Sequence, residues 1–194
     1  WYGSKVWHST DEYRRVIYQC NHKFRGEKCT TPHLTEEEIK RTFVAAFNKL
    51  YEGKDTLLDN LRMVQKEICD TTGLEEEQRK LATEMQFLVD MVQNAIDENA
   101  RIAQNQTEYQ KRYEELVSRY NGVKSKYGEV SMTITEKRTK AEVLDSFAKT
   151  IRNRDSALTE FDDGLWGTLV DFMTVYGKGD IGVTFRDGTE IRIK

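Results

Sequence analysis

The chain has 194 residues, 38% apolar and 32% charged, with 12 glycines and a single proline, Pro32. So much charge and so few turn-formers exclude a compact all-β fold and favour long solvated helices, and no stretch approaches the roughly 18 consecutive apolar residues of a membrane span. The net charge of −3 argues against wholesale nucleic-acid binding, but it is uneven: +3 over residues 1–33, −3 over 34–155 and −3 over 156–194, so any phosphate contact is expected from the N-terminal piece.

The chain opens at Trp1-Tyr2-Gly3 with no initiator Met and no signal peptide, and it reads as a piece of something longer. Residues 1–33 read as strands: Ser4–His8 and Tyr13–Cys20 are rich in Val, Ile, Tyr and Trp and are parted by Ser9-Thr10-Asp11. A segment this short with few aliphatics cannot bury a core of its own, so it needs a metal, a neighbour or a missing upstream half.

Residues 34–158 are expected to be helical. Thr35 to Glu38 is a capping box, with Thr35 as N-cap and Glu38 reaching back from N3. Ile39, Phe43, Ala46 and Leu50 follow on one face, then Leu57, Leu61, Val64 and Ile68. The pattern loses phase at Asp70–Gly73, and Gly73 suits a helix C′ position. Beyond it a coiled-coil seam, alternating by four and three, runs through Leu74, Gln78, Leu81, Met85, Leu88, Val92, Ala95, Asn99 and Ile102. A second seam runs from Tyr109, Tyr113, Leu116, Tyr120 and Val123 to Ala148, Ile151, Asp155 and Leu158. Between them Asn105 to Glu108 is another capping signature, with Asn105 as N-cap.

Gly122 and Gly128 lie off the second seam without shifting it, so the helix passes through both and the hairpin tip falls at 100–107. A helix over 107–155 would be roughly 70 Å long at 1.5 Å per residue. The break at 70–73 then falls opposite about residue 134, leaving 74–134 as a projecting coiled-coil arm and 135–158 as a return helix. In residues 159–194, Leu165–Phe172 reads as a short amphipathic helix. Thr174–Tyr176, Ile181–Arg186 and Glu190–Lys194 read as strands, and Asp187-Gly188 between alternating apolar residues is a hairpin signal.

Chemistry-bearing motifs are few. The chain has no GxxxxGK[ST], GxGxxG or HExxH, and His8, His22 and His33 have no triad-like partners in the sequence. Three cysteines are too sparse for a disulfide scaffold and suit a reducing cytoplasm. Cys69, near a helix end, reads as core. Cys20 and Cys29 read either as two buried or free thiols or as half of a zinc site, because tetrahedral zinc takes two such pairs. Lys5, Arg14, Arg15, Lys23, Arg25 and Lys28 are interleaved with Trp1, Tyr2, Trp7, Tyr13 and Tyr18. A basic, aromatic β-surface of this kind suits DNA, or else it is an ordinary strand pair with one solvated charged face. The tyrosine stripe 109/113/120/127 reads as seam packing, and Asn99 and Lys137 read as polar seam residues that set register.

Trp1 to Thr10, Tyr13-Arg14-Arg15, Cys20 to Lys23, Lys28-Cys29 and Thr31 to Ile39 together resemble the zinc β-ribbon of large serine recombinases, the serine integrases and transposon resolvases of bacterial mobile elements and phages. Glu98 to Arg101, Tyr109 to Tyr113, Leu116 and Arg119-Tyr120 look like the coiled-coil segment of the transposon-type members. Leu165-Trp166, Val175, Ile181, Phe185, Asp187-Gly188 and Glu190-Ile191 look like their terminal helix and hairpin. The resemblance covers nearly the whole chain and rests on the order and spacing of these segments.

The resemblance implies an α+β fold, in which a long antiparallel helical hairpin is inserted in a small mixed domain. It makes residues 1–33 the second half of a zinc β-ribbon, 34–73 a zinc-domain helix, and 159–194 a helix and β-hairpin packing back on that domain. In the family an upstream CxxC supplies the first ligand pair, so Cys20 and Cys29 match the second pair and zinc belongs to the intact domain. The implied partners are double-stranded attachment-site DNA, met through Lys5, Arg14, Arg15, Lys23, Arg25 and Lys28, and a directionality factor. Other subunits of a synaptic tetramer are the further partners, met at the tip through Ile102, Ala103, Gln104 and Asn105. No catalytic residue carries over, since the family's catalytic domain lies upstream; the parent would be a site-specific recombinase of the bacterial cytoplasm, integrating or excising a mobile element. A purely structural coiled-coil interaction module without DNA specificity is the alternative.

Overall fold

The computed structural model describes residues 2–6, 8, 10–21, 29–103 and 105–194, with Tyr13 described by its backbone alone. It shows a mixed α+β protein with long helices and two three-stranded antiparallel sheets. Two compact units divide the chain. The first takes residues 1–63 and 143–194, and the second takes 64–142.

In the first unit, β1 (Tyr2–Val6) and β2 (Val16–Cys20) pair antiparallel, Tyr2 opposite Cys20 and Val6 opposite Val16. A 3₁₀ turn, Asp11–Tyr13, occupies the start of the stretch expected as the second strand. β3 (Leu34–Thr35) adds to β2 and runs straight into α1 (Glu36–Glu52). The capping box forms there: the Glu38 amide donates to Thr35 Oγ1 at 3.2 Å, and the Thr35 amide donates to Glu38 Oε2 at 2.7 Å. These bonds satisfy two backbone donors that a helix start otherwise leaves open. They also hold the Glu38 carboxyl below its ordinary pKa, the Thr35 backbone bond being the largest cause and the Thr35 hydroxyl the next.

The expected 34–73 helix is broken at Gly53. α1 ends at Glu52, where the Gly53 amide donates to Leu50 and Tyr51, and α2 (Lys54–Ile68) begins anew. Polar side chains on both sides of this break bond the end of α4 (Gln106–Arg152) and the segment that follows it. Asn48 bonds both the carbonyl and the amide of Leu158, Tyr51 donates to the Arg154 carbonyl, and Lys54 donates to the Arg152 and Arg154 carbonyls. Lys54 thus takes up the carbonyl of Arg152, the last residue of α4, and the other donors hold the segment after it; Asp155 is exposed, outside any seam.

α5 (Asp163–Leu169) starts on the Asp162 carboxylate, which accepts the Leu165 amide. It is shorter than expected, because the chain turns extended at Val170. There Arg186 fixes the exit, its amide donating to Leu169 and its guanidinium to Gly167 and Val170. β4 (Val170–Gly177), β5 (Asp180–Phe185) and β6 (Glu190–Ile193) form a meander, and Gly188 turns it at φ +92, a conformation a side chain would strain. α1 packs against β5 and β6. The core joins Phe43 and Phe47 of α1 to Phe161 and Trp166, and Phe147 of α4 meets Phe185 edge-on at 6.4 Å between ring centres.

The second unit is an antiparallel helix pair. α3 (Thr72–Arg101) and α4 are cross-linked by Glu75–Arg138, Gln78–Ser131, Glu84–Arg119 and Glu98–Arg112, partners that advance in opposite directions. Leu88, Ala95, Val123 and Ile134 of the seams are buried, while Gly122 and Gly128 are exposed inside an unbroken α4. Gly73 is not a C′ residue: α3 starts at Thr72, where the Asp70 carboxylate accepts the Thr72 amide and hydroxyl. No helix among the described residues is long and apolar enough to cross a membrane.

Candidate functional site

The β1–β2–β3 sheet positions the two thiols. Cys20 ends β2 opposite Tyr2, and both residues lie on one sheet face. Cys20 is buried and Cys29 half-buried, with its sulfur 2.8 Å from Thr31 Oγ1. Tyr2 is tied down by its hydroxyl, which donates to the Pro32 carbonyl at 2.8 Å. Burial raises the Tyr2 hydroxyl above its ordinary pKa, a bond with Thr31 opposes this, and the nearby Cys29 and Cys20 thiols add to the rise. A Cβ at the neighbouring Gly3 would come 2.7 Å from the Asn21 side-chain oxygen, so the exposed Asn21 side chain lies over this glycine.

Two sulfurs do not fit a closed structural zinc site, which takes four ligands. Among the described residues no three His, Cys, Asp or Glu side chains come together in a way that could hold a metal. His22 lies outside the described residues.

Of the six basic candidates, Lys5, Arg14 and Arg15 are described and all are exposed; Lys23, Arg25 and Lys28 lie outside the described residues. The turn Asp11–Tyr13 delivers Arg14 and Arg15 to the start of β2, and Lys5 lies opposite Ile17, two residues beyond Arg15. All three cations therefore lie near one end of the sheet. The same turn exposes Asp11 and Glu12, and Asp11 stands 4.0 Å from Arg14. An ion pair this exposed contributes little, so Arg14 remains available to a stronger anion.

At the end of the helix pair, the Ile102 amide closes α3 on the Glu98 carbonyl, and Asn105 Oδ1 accepts the Thr107 amide at the start of α4. Gln106 donates across the turn to Asn99. Ile102, Ala103 and Asn105 are all exposed, Ile102 to 60%; Gln104 lies outside the described residues.

No family model, curated protein or solved structure matches the chain.

Two features escaped the sequence. Lys137 does more than set register: its ammonium donates to the carbonyls of Ile68 at 2.6 Å and Asp70 at 3.2 Å, capping the break between α2 and α3. A cation at a phase break in the opposite seam was the available signal. The other is the apolar pair Val89 and Ile96 beside the first seam, where charges ordinarily sit.

Proposed function

We propose that the chain is the DNA-binding and synapsis-controlling C-terminal region of a site-specific serine recombinase. The observation that supports this best is the division of the chain: residues 1–63 and 143–194 make one unit, and the helical hairpin 64–142 is inserted between them. That is the organisation the resemblance implies, a coiled coil carried within a zinc-ribbon domain. The exposed Lys5, Arg14 and Arg15 serve attachment-site DNA, Cys20 and Cys29 complete a zinc site with an upstream pair, and the turn at Ile102–Asn105 meets other subunits. The chain carries no catalytic role in this reading; the reaction belongs to an upstream domain of the parent protein.

Replacing residues 100–107 by a Gly/Ser turn in the parent protein tests the turn's part. Folding and single-site DNA binding should persist while synapsis, or the preference between integration and excision, changes. Unchanged recombination in both directions would reduce the hairpin to a spacer. The alternative reading, an interaction module without DNA specificity, draws support from the apolar edge of the hairpin; a parent protein that showed no preference for its attachment sites would favour it.

A further inference from the structure

The two edges of the hairpin in the second unit are built differently. In heptad terms the g edge is laced with charge: Glu84 meets Arg119 at 2.6 Å and Glu98 meets Arg112 at 3.5 Å. The e edge carries Glu75–Arg138 near the α2–α3 break, then turns apolar, with Ala82, Val89 and Ile96 on α3 and Val117 on α4. Val89 and Ile96 are 45% and 39% exposed. Val89, Val92 and Gln93 of α3 and Val117 and Tyr120 of α4 line an open groove of about 210 Å³ along this edge. Seam pairing therefore leaves a second apolar stripe uncovered.

We infer that this e edge binds the same edge of a second copy of the chain, antiparallel, about a two-fold axis near Val89. The charges bracketing the groove favour that occupant. Glu114 lies three residues before Val117, and Lys124 four residues after Tyr120, on the exposed side of α4. The Glu114 carboxylate accepts only a neutral amide, from Gln110, and no acid faces Lys124 among the described residues. The two lie roughly 15 Å apart along α4, and an antiparallel copy sets Glu114 of each chain against Lys124 of the other, twice. The same axis lays Ile96 of one copy over Ala82 of the other, a large side chain over a small one. On the α3 rim the side-chain amides of Gln86 and Gln93 donate to the Asp90 and Asp97 carboxylates, so that each acid is already hydrogen-bonded within its own helix.

The patch is small, below the roughly 1,200 Å² of a stable interface, so the dimer is weak and reversible. It deepens the synapsis reading and rests on that reading only for its purpose. The association is measured without DNA, so either can fail alone.

Sedimentation of the 194-residue chain from about 10 μM to about 1 mM should show the mass rising from 22.7 kDa towards twice that value. Glu114→Lys and Lys124→Glu should each weaken dimerisation about tenfold, by setting like charges opposite one another. An equimolar mixture of the two variants should regain the affinity, because each Lys then meets a Glu. Neither substitution touches the seam, and an unchanged circular dichroism spectrum verifies the fold. A chain monomeric at every concentration would overturn the inference. So would a dimer indifferent to both charge variants, a mixture no tighter than the separate variants, or a dimer abolished by Gly/Ser replacement of 100–107.

Discussion

At Thr35 a single hydroxyl joins β3 to α1, and the ionised Glu38 carboxylate closes the motif from the other side. Thr35→Ala should cost about 1 kcal/mol, the usual worth of a lost N-cap. Glu38 also carries a pH dependence of definite sign. Its folded pKa lies below the ordinary 4.5, so its contribution is complete above that value and is lost as pH falls through the folded pKa. In urea titrations at a series of pH values, the stability gap between the protein and Glu38→Gln should be widest near pH 6–7 and narrow below about pH 4. A gap that widened on acidification would contradict the capping role. This motif was legible in the sequence because a capping box is local, spanning four residues. The clamp of Asn48, Tyr51 and Lys54 on residues 152–158 was not, because its partners lie some hundred residues apart in the chain.

At the scale of elements, the hairpin depends on a seam whose most buried member on α3 is Leu88, fully sequestered. Leu88→Ala should destabilise the protein by about 2–5 kcal/mol, the range for a large-to-small change in a packed core. Chemical denaturation followed by circular dichroism measures it, and a loss under about 1 kcal/mol would mean that the pairing of α3 with α4 is loose at this level. Lys137→Met keeps the length of the side chain and removes its bonds to Ile68 and Asp70. Exchange of the first-turn amides of α3 should then speed up roughly fivefold, while amides near Leu88 stay protected. Strict four-three spacing made both seams readable, and the position of the turn with them. Where spacing was not the controlling factor the reading slipped. Gly53 divides a helix whose apolar face reads almost continuously. Val170 to Phe172 joined a helix on paper, but bonds from Arg186 draw them into β4.

At the scale of the whole molecule, the mixed composition and the insertion of one unit in another follow from where periodicity changes along the chain, from short β-rich ends to a long heptad middle. The proposed partners rest on the resemblance alone, since charge pattern leaves a basic strand pair ambiguous between DNA and solvent. The proposed zinc half-site carries a stoichiometric prediction. Elemental analysis of the 194-residue chain should find well under one zinc per chain, and a longer chain carrying the proposed upstream cysteine pair should hold one. A full, tightly bound zinc in the shorter chain would mean that other residues complete the set. DNA binding offers the most direct test of the proposed function. Fluorescence anisotropy of the parent protein should be followed across salt concentrations, on duplexes from the two ends of the DNA element that encodes it and on a scrambled control. The end sequences should bind more tightly than the control, with affinity falling steeply as salt rises. Arg14→Glu with Arg15→Glu should weaken every duplex similarly and lower the salt slope by about 1 per lost phosphate contact. Equal binding of end and scrambled duplexes, with a salt slope untouched by the two substitutions, would contradict it.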